Sequence, residues 1–375
     1  MIPAQPLWSV LQETDLRFEE TDQAVGTLLS VSKDKGIVRY SDLFPDRAIR
    51  AENHDRYKFV KSGSIVLNKM SASSGAVGVA KEAGIVSPDY AVLETKSFNN
   101  ERFINYILGS ADFCKNKVGP ILRGIGTGDA TSVRTPRVGM REYLSLLIPV
   151  PPLETQQRIA DYLDRETAEI DAAVADLDRY VELLEKRLEL SVAKMLEKDQ
   201  HPSVPLFTMC DFSSGGGIPR DELHESGEYP VYGGNGIMGY SKQYNQSVDS
   251  IVVGRVGALC GNVHLAKAPF FVTDNAMVVS LKEAVSLDWL VFALRDLRLR
   301  ELSQSSAQPV ITSTKVSRQR VSRPSFSRQS QIADSILNEA SEVNALIADS
   351  INLRDLLIRR RSVLISDVVT GRKQV

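Results

Sequence analysis

The sequence predicts an α+β fold: two globular mixed α/β modules in a pseudo-twofold repeat, separated by two long helices that form an antiparallel coiled coil. An internal duplication carries this prediction. Residues 64–93 align without a gap on residues 250–279, with 10 of 30 positions identical, and residues 151–190 align without a gap on residues 324–363. The repeat is far longer than the roughly 20 to 50 residues of solenoid units, so each copy should be a whole module followed by a helix.

The first module reads as a small sheet or barrel. A β-branched run over Ser64–Asn68 is followed by turn residues at Ser71–Gly75, and a second apolar run over Ala76–Val79 resumes the pattern. The sequence also predicts a helix over Asn100–Ser110 and a glycine-rich loop over Gly124–Thr131. This succession of short strands does not fit a βαβ array.

Heptad spacing predicts the first long helix, which should begin just after Pro151 and Pro152 because proline excludes the helical region for the residue before it. Apolar side chains alternate in steps of three and four along it: Leu163, Ile170, Val174, Leu177, Val181, Leu184, Leu188 and Met195. A 3.5-residue period is typical of a coiled-coil seam. From Glu154 to Lys198 the helix would be about 65 Å long, and it could break at Asp164–Glu166.

The partner of this helix should be the matching segment Ser327–Thr370. Its seam is less regular, because Ser350 and Arg354 stand where the first helix has Leu177 and Val181. A whole module separates the two helices in sequence, so the chain can return and lay them antiparallel, with the modules at opposite ends.

Composition limits the class of protein. The chain has 375 residues, 43% apolar and 25% charged, which is ordinary for a globular protein of two domains. No segment reads as a signal peptide or a membrane span. The three cysteines, Cys114, Cys210 and Cys260, have no metal-type spacing and fit a reducing compartment, so we expect the cytoplasm.

Basic residues cluster at the same place in both copies, between the strand-rich segment and the helix. Residues 115–141 hold six Lys and Arg against Asp129, and residues 295–328 hold eight against Asp296 and Glu301. A charge run is often only a solvated face. Its recurrence in both copies favours a surface that faces phosphates.

Motifs for catalysis are missing. The chain has no Gly-Lys dipeptide for a phosphate-binding loop, and its one Pro-Pro pair, Pro151-Pro152, lacks the flanking amide and aromatic of an adenine methyltransferase. Asp89, Glu94 and Lys96 resemble a nuclease metal grouping, but their spacing is too short and the second copy does not keep it. The four histidines lack zinc spacing. We therefore expect no catalytic, cofactor-binding or metal-binding residues.

The remaining features suit binding. Lys69 and Arg255 are aligned basic residues at the end of a strand in each copy, each followed by small or polar residues. The segment Tyr232–Tyr240 places Asn235 among glycines, which would either read base edges or form only a hairpin. The candidate DNA-binding residues are Lys69, Ser73, Ser74, Lys115, Lys117, Arg123, Arg134, Tyr232, Asn235, Tyr240, Arg255, Arg298, Lys315 and Arg318.

One region resembles a known family. The run Ile148-Pro149-Val150-Pro151-Pro152-Leu153-Glu154-Thr155-Gln156-Gln157-Arg158-Ile159-Ala160 is similar to the conserved region of type I restriction-modification specificity subunits. So are Pro230-Val231-Tyr232-Gly233-Gly234-Asn235-Gly236, Val253-Gly254-Arg255-Val256-Gly257 and the closing Val369-Thr370-Gly371-Arg372. The resemblance covers nearly the whole chain, and the duplicated layout is itself typical of the family.

The resemblance implies two target recognition domains, residues 1–147 and 201–322, and two spacer helices, residues 148–200 and 323–375. Each domain would read one half of a bipartite site in double-stranded DNA, and the helices would set the gap between the halves. They would also dock two modification (methyltransferase) subunits, and restriction/translocase subunits would join the complex. S-adenosylmethionine, ATP and Mg²⁺ would sit on these partners only, and this chain would not be an enzyme.

Two other readings stay open from the residues alone. A coiled-coil scaffold whose modules bind protein would share the repeat and the helices. A nuclease or a degenerate methyltransferase is the other alternative, against which the missing motifs count. Binding to phosphates would give an affinity for DNA that falls steeply with salt concentration, whereas a scaffold would not.

Overall fold

A computed structural model describes residues 3–17, 27–33, 35–45, 56–123, 136–197, 201–303 and 309–375. The chain divides into two compact units: Met1–Asp178 with Asn352–Val375, and Arg179–Ile351. Both borders fall inside long helices, so each unit contains one strand-rich module and a part of both helices. The predicted loop at Gly124–Thr131 lies outside the described residues.

The first unit is built mainly from short antiparallel strands. Its described strands are β1 (Ala4–Pro6), β2 (Leu11–Thr14), β3 (Leu29–Ser32), β4 (Gly36–Arg39), β5 (Lys58–Val60), β6 (Ile65–Asn68), β7 (Val77–Val79), β8 (Gly84–Val86), β9 (Tyr90–Thr95) and β10 (Leu147–Pro149). The central sheet has the order β2-β9-β6-β7, and β1 pairs with β10. The predicted small sheet is therefore present, with β6 and β7 where the two apolar runs were placed.

Short helices cover this sheet. They are α1 (Leu7–Val10), α2 (Tyr40–Leu43), α3 (Glu101–Gly109), α4 (Ala111–Phe113) and α5 (Met140–Leu144). The helix predicted over Asn100–Ser110 is thus confirmed as α3. Its first turn is capped by Asn100, whose side chain accepts a hydrogen bond from the N–H of Phe103 over 3.0 Å. The buried face of α3, including Phe103 and Ile104, packs in the main core of the unit.

The first long helix, α6, spans Leu153–Glu197. It begins directly after Pro152, as the sequence predicts, and the break that the sequence left open at Asp164–Glu166 does not occur, because the helix is continuous there. Asp164 is held by α3 instead, since it accepts a hydrogen bond from the hydroxyl of Tyr106 over 2.7 Å and pairs with Arg102. The heptad residues from Leu163 to Leu188 are buried or half-buried, whereas Leu183 is exposed.

The second unit repeats the architecture of the first. Its described strands are β11 (Ser203–Pro205), β12 (Cys210–Ser214), β13 (Tyr229–Gly233), β14 (Gly236–Ser241), β15 (Ser250–Gly254), β16 (Val263–Ala266), β17 (Phe271–Val272), β18 (Ala276–Leu281) and β19 (Arg320–Ser322). The sheet order β12-β18-β15-β16 matches β2-β9-β6-β7, and β11 pairs with β19 as β1 does with β10. The duplication seen in the sequence is therefore a duplication of topology.

The helices of the second unit follow the same plan. Helix α7 (Leu287–Asp296) corresponds to α3, and α8 (Ser313–Ser317) corresponds to α5. Ser286 caps α7 by accepting a hydrogen bond from the N–H of Trp289 over 3.4 Å. Trp289 and Leu290 are buried in the core between the sheet and the long helices.

The second long helix, α9, spans Phe326–Val369. In the first unit, Arg361 donates to Asp171 over 3.2 Å and Arg354 donates to Asp178 over 3.1 Å. As the residue number increases along α6, the residue number of the partner in α9 decreases, so the two segments are antiparallel there. In the second unit the hydroxyl of Ser191 donates to Glu339 over 2.7 Å. A regular coiled coil over the full length of both helices stays a prediction.

The irregular seam of α9 has a structural explanation. Arg354, which stands where α6 has Val181, is half-buried and pairs with Asp178 and with Asp355 on its own helix. These two carboxylates raise the pKa of the Arg354 guanidinium above its ordinary value. A polar residue thus occupies an apolar seam position because acidic partners lie within reach. Among the described residues, none of the helices has the length and apolar content needed to span a membrane.

Candidate nucleic-acid interface

Arg255 lies where four segments of the second unit meet. It directly follows β15, and its guanidinium donates to the hydroxyl of Ser214 at the end of β12 over 2.9 Å. Its backbone N–H donates to the carbonyl of Asn275, and its own carbonyl accepts from the N–H of Ile311, each over 2.9 Å. The backbone of Arg255 is therefore fixed on both sides while its half-buried side chain reaches along the edge of the sheet.

Asn235 lies at the tip of the hairpin between β13 and β14, beside the loop that follows Arg255. It is exposed, and its side-chain oxygen accepts a hydrogen bond from the amide of Asn262 over 2.8 Å. Gly254 and Gly234 allow the two loops to approach this closely, because a Cβ on Gly254 would collide with the carbonyl of Gly234. The hairpin therefore turns, as expected, and also presents an amide side chain beside the loop that follows Arg255.

The two tyrosines of the hairpin lie on its strands and not at its tip. Tyr232 is only 8% exposed, and its ring packs edge-to-face on Phe270 with centroids 5.5 Å apart. Burial raises the pKa of its hydroxyl. Tyr240 is half-buried in β14 and pairs through its backbone with His224. As placed, the ring of Tyr232 is a core side chain and offers no face to a base.

Lys69 occupies the equivalent place in the first unit. It directly follows β6, and its carbonyl accepts a hydrogen bond from the N–H of Val138 over 3.1 Å, as that of Arg255 accepts from Ile311. Burial, and then the positive charge of Lys58, hold the pKa of the Lys69 ammonium below its ordinary value. A nearby phosphate would counteract the repulsion from Lys58. The structure thus gives the two aligned basic residues the same backbone setting.

A second group of candidates lies together in the first unit. Ser73 and Ser74 belong to a turn of 3₁₀ helix (Ala72–Ser74) that packs against a π-helical turn (Cys114–Val118) carrying Lys115 and Lys117. Both lysines are exposed, and Ser74 donates its hydroxyl to the carbonyl of Ser71 over 2.8 Å. The polar turn and the exposed lysines therefore border one surface.

The other basic candidates differ in their exposure and in their partners. Arg123 is exposed and forms an ion pair with Glu142, while Arg134 lies outside the described residues. Arg298 is exposed but paired with Glu189 over 2.6 Å.

Lys315 donates to the carbonyl of Leu302 over 3.1 Å, whereas Arg318 is exposed. Arg323, from the same basic stretch, pairs with Glu283 over 2.5 Å. The second basic stretch is therefore not one continuous free surface, because several of its side chains have partners within the unit.

Ser214 and Asn262 were missed by sequence reasoning, although both contact a candidate residue. The hydrogen bonds of these side chains join segments 41 and 27 residues apart in the chain. Neither residue belongs to a motif, and the aligned position of Asn262 in the first copy is Ala76. No local pattern could have marked them.

Among the described residues, no group of three or more His, Cys, Asp and Glu is arranged to hold a metal ion. Two members of the grouping that resembled a nuclease site have partners within the unit: Lys96 donates to the carbonyl of Trp8 over 2.7 Å, and Glu94 pairs with Lys61 over 3.5 Å.

Comparison with known proteins identifies the class. The family model described as "Type I restriction modification DNA specificity domain" matches residues 48–175 and 204–352. These two matches cover most of the chain and one falls in each repeat, so the protein belongs to this family.

Among curated proteins, the chain is similar to the type I restriction enzyme EcoprrI specificity subunit of Escherichia coli, with 38% identity over 133 residues. A putative type I specificity subunit of Mycoplasma pneumoniae (strain ATCC 29342 / M129 / Subtype 1), S.MpnORF285P, is 29% identical over 133 residues. Each match covers 34% of this chain, and they cover 33% and 44% of the two relatives. The chain therefore aligns with less than half of either relative.

Among solved structures, a chain from a type I R-M system whose complex assembly and conformational transition have been described is similar over 99% of both chains. Its TM-score is 0.77 and its sequence identity is 16%. The HsdS subunit of Thermoanaerobacter tengcongensis matches with a TM-score of 0.54 and 16% identity, over 98% of this chain and 96% of that one. At this identity the likeness concerns the fold.

Proposed function

We propose that this chain is the sequence-specific DNA-recognition subunit of a type I restriction-modification complex. Each strand-rich module reads one half of a bipartite site in double-stranded DNA. The observation that carries the proposal is the equivalence of Lys69 and Arg255, which follow equivalent strands and have their carbonyls held by equivalent hydrogen bonds. A basic side chain on a fixed backbone can pair with the O6 and N7 acceptors of guanine in the major groove.

The neighbouring polar groups suit the same task. Asn235, held by Asn262, presents an amide of the kind that reads the N6 and N7 positions of adenine. Lys115 and Lys117 are exposed on the first unit and can contact phosphates, which fix the register of a protein on DNA without reading sequence. The selection of bases thus depends on a few side chains, whereas the affinity for DNA depends on a larger number of them.

Partner subunits would supply the chemistry. The helices α6 and α9 carry exposed apolar side chains, such as Leu190, Leu356 and Val363, which suit docking of two modification subunits. The solved chain with the same fold comes from a type I R-M system, which supports this assignment. Restriction/translocase subunits would complete the assembly. S-adenosylmethionine, ATP and Mg²⁺ would be held by those partners, and this chain would catalyse no step.

The helical segments would set the separation of the half-sites, with recognition domains at residues 1–147 and 201–322 and spacers at 148–200 and 323–375. We further propose a cytoplasmic location, which three buried free cysteines support because a reducing compartment keeps thiols unpaired.

Methylation mapping tests the proposal directly. Cells that carry this chain with its modification subunits should methylate adenines in one bipartite sequence, and cells that lack the chain should not. DNA binding by the assembled complex should also weaken linearly with the logarithm of salt concentration. No sequence-dependent methylation, together with a salt-independent interaction, would favour the protein-binding scaffold.

A further inference from the structure

A cavity of about 380 Å³ opens in the second unit between the start of β16 and the end of α7. Three arginines line it, Arg295, Arg298 and Arg300, together with His264 and Asn262. Among the residues that the structure describes, no carboxylate lines this cavity, although Glu189 pairs with Arg298. A concentration of guanidinium groups without acidic side chains in the wall is the environment that binds an anion.

Two of the arginines are fixed in place by contacts that leave donors available. Arg295 donates from Nε and Nη2 to the carbonyl of Val263, over 3.2 and 3.0 Å. A guanidinium has five N–H donors, so this neutral acceptor leaves others and leaves the charge uncompensated. Arg298 is anchored by Glu189, while Arg300 is exposed on the next turn.

The backbone at the edge of the cavity is strained. Arg298 has φ +46°, in the left-handed region that side chains other than glycine rarely adopt. Such a conformation persists only when the surroundings hold it, and it is found often at ligand sites. Here it begins the 3₁₀ turn Leu299–Leu302 and so sets the direction of Arg300.

His264 adds a group whose hydrogen bonding is incomplete. Its Nε2 is buried and has no hydrogen-bond partner among the described residues. Burial, and then the nearby Arg295, hold the pKa of the imidazole below its ordinary value. An anion in the cavity would offset the repulsion between Arg295 and a protonated His264.

The first unit does not repeat this chemistry. At the aligned positions it has Gly78 in place of His264, Gly109 in place of Arg295, Asp112 in place of Arg298 and Cys114 in place of Arg300. The surrounding backbone is nevertheless equivalent. A Cβ on Gly75 would approach the carbonyl of Gly109 and the sulfur of Cys114, as one on Gly261 would approach Leu299 and Arg300. The basic cavity is therefore a property of one repeat.

The cavity adjoins the proposed base-reading residues. Asn262 lines it and also donates to Asn235 at the tip of the hairpin. DNA that is read by Asn235 and Arg255 would bring its backbone close to the three arginines.

We infer that the cavity bounded by Arg295, Arg298, Arg300 and His264 binds a backbone phosphodiester of the DNA half-site read by the second unit. This inference rests on the proposed function. It assigns this cavity to one repeat only, so the contribution of these arginines to the salt dependence of binding should concern the half-site of the second unit and not the other half-site.

The test uses the full chain assembled with its partner subunits and DNA that carries the mapped target. Arg300→Gln should reduce the slope of log affinity against log salt by about one and weaken binding roughly tenfold, without changing the sequence preference. Lys242→Gln is the matched control, because Lys242 is exposed and follows the end of β14 that lies away from Asn235. The control should keep the wild-type slope and affinity.

A second measurement removes single charges from the DNA and not from the protein. Single phosphates of the target are replaced in turn by uncharged methylphosphonates, and binding of the wild-type complex is measured. One position in the half-site of the second unit should weaken wild-type binding and leave Arg300→Gln unaffected.

If both proteins respond alike at every position, or if Arg300→Gln keeps the wild-type slope, the inference that this cavity binds a phosphodiester is wrong. Binding of inorganic phosphate by the wild type, without a sensitive methylphosphonate position, would assign the cavity to a free anion and also overturn it. Loss of the proposed function is distinguishable, because the wild-type complex would then show no sequence-dependent DNA binding.

Discussion

The side chain of Gln156 accepts a hydrogen bond from the backbone N–H of Asn100 over 2.9 Å and donates one to the carbonyl of Pro151 over 2.8 Å. Its repeat equivalent Gln329 does the same, accepting from the N–H of Ser286 over 2.9 Å and donating to the carbonyl of Pro324 over 3.0 Å. Asn100 and Ser286 are the capping residues of α3 and α7. One amide in each unit therefore joins the start of a long helix to the start of the helix that covers the sheet.

Replacing this amide should destabilise the unit that contains it. Gln156 is 1% exposed, so Gln156→Ala leaves a buried N–H and a buried carbonyl without partners, which should cost about 1–3 kcal/mol of unfolding free energy. Gln329→Ala should have a similar effect on the second unit. Denaturant unfolding measures both, and Gln157→Ala is the control because its neighbouring side chain is exposed. Equal stability of Gln156→Ala and Gln157→Ala would show that the hydrogen bonds of Gln156 do not stabilise the unit.

Lys69 and Arg255 should act on separate half-sites. Lys69→Ala should weaken discrimination at the half-site of the first unit, and Arg255→Ala at that of the second, each by about 1–3 kcal/mol of binding free energy. Methylation mapping and competition binding against singly altered targets measure this. The controls Lys81→Ala and Lys267→Ala change aligned exposed lysines beyond β7 and β16, away from the loops that carry Lys69 and Arg255. The prediction is contradicted if either variant affects both half-sites equally.

The length of the helices should set the permitted gap between half-sites. The chain passes from one unit to the other inside α6, after Asp178, and returns inside α9, after Ile351. Lengthening α6 by one heptad at that border, with a matching heptad in α9 to keep the seams aligned, adds about 10 Å of helix. The gap should grow by up to about three base pairs, since each pair occupies about 3.4 Å of duplex. Both half-site sequences should stay unchanged.

A replacement of seven residues at the same border, without a change in length, is the control for the heptad insertion. It should leave the gap as in the wild type. An inserted protein that methylates targets with the original gap only would contradict the role of the helices as a spacer.

His264 should make the second unit less stable in acid. Burial and Arg295 lower its pKa in the folded state below the ordinary value of 6.5, and the ring of Tyr232 also faces it. Between the folded and unfolded pKa values the unfolded chain binds more protons, so stability rises with pH through that window and falls as the pH drops below about 6.5. His264→Gln should remove this component of the pH dependence.

Chemical unfolding over a pH series measures the difference between the wild type and His264→Gln. His224→Gln, which changes an exposed histidine of the same unit, is the control and should follow the wild-type profile. A constant difference between wild type and His264→Gln across this range would show that the imidazole does not titrate with folding.

The repeat allowed much of the fold to be predicted, because local patterns and their recurrence are visible in one chain. Strands β6 and β7, helix α3 and the start of α6 lie where apolar runs, turn residues and prolines placed them. The break that the sequence left open at Asp164–Glu166 does not occur, and Asp164 there accepts a hydrogen bond from Tyr106, which lies 58 residues earlier in the chain. Tyr232 lies in the core because Phe270, 38 residues further on, packs against it.

The amino-acid order alone determined the duplication, the heptad spacing and the alignment of Lys69 with Arg255, since each depends on spacing along the chain. Tertiary structure decided which of the predicted residues share a surface. It placed Asn262 against Asn235, engaged Arg298 with Glu189, and gathered three arginines beside His264 in one unit only. These relations join segments distant in sequence, and they arise because close packing of loops fixes side-chain positions that no local period encodes.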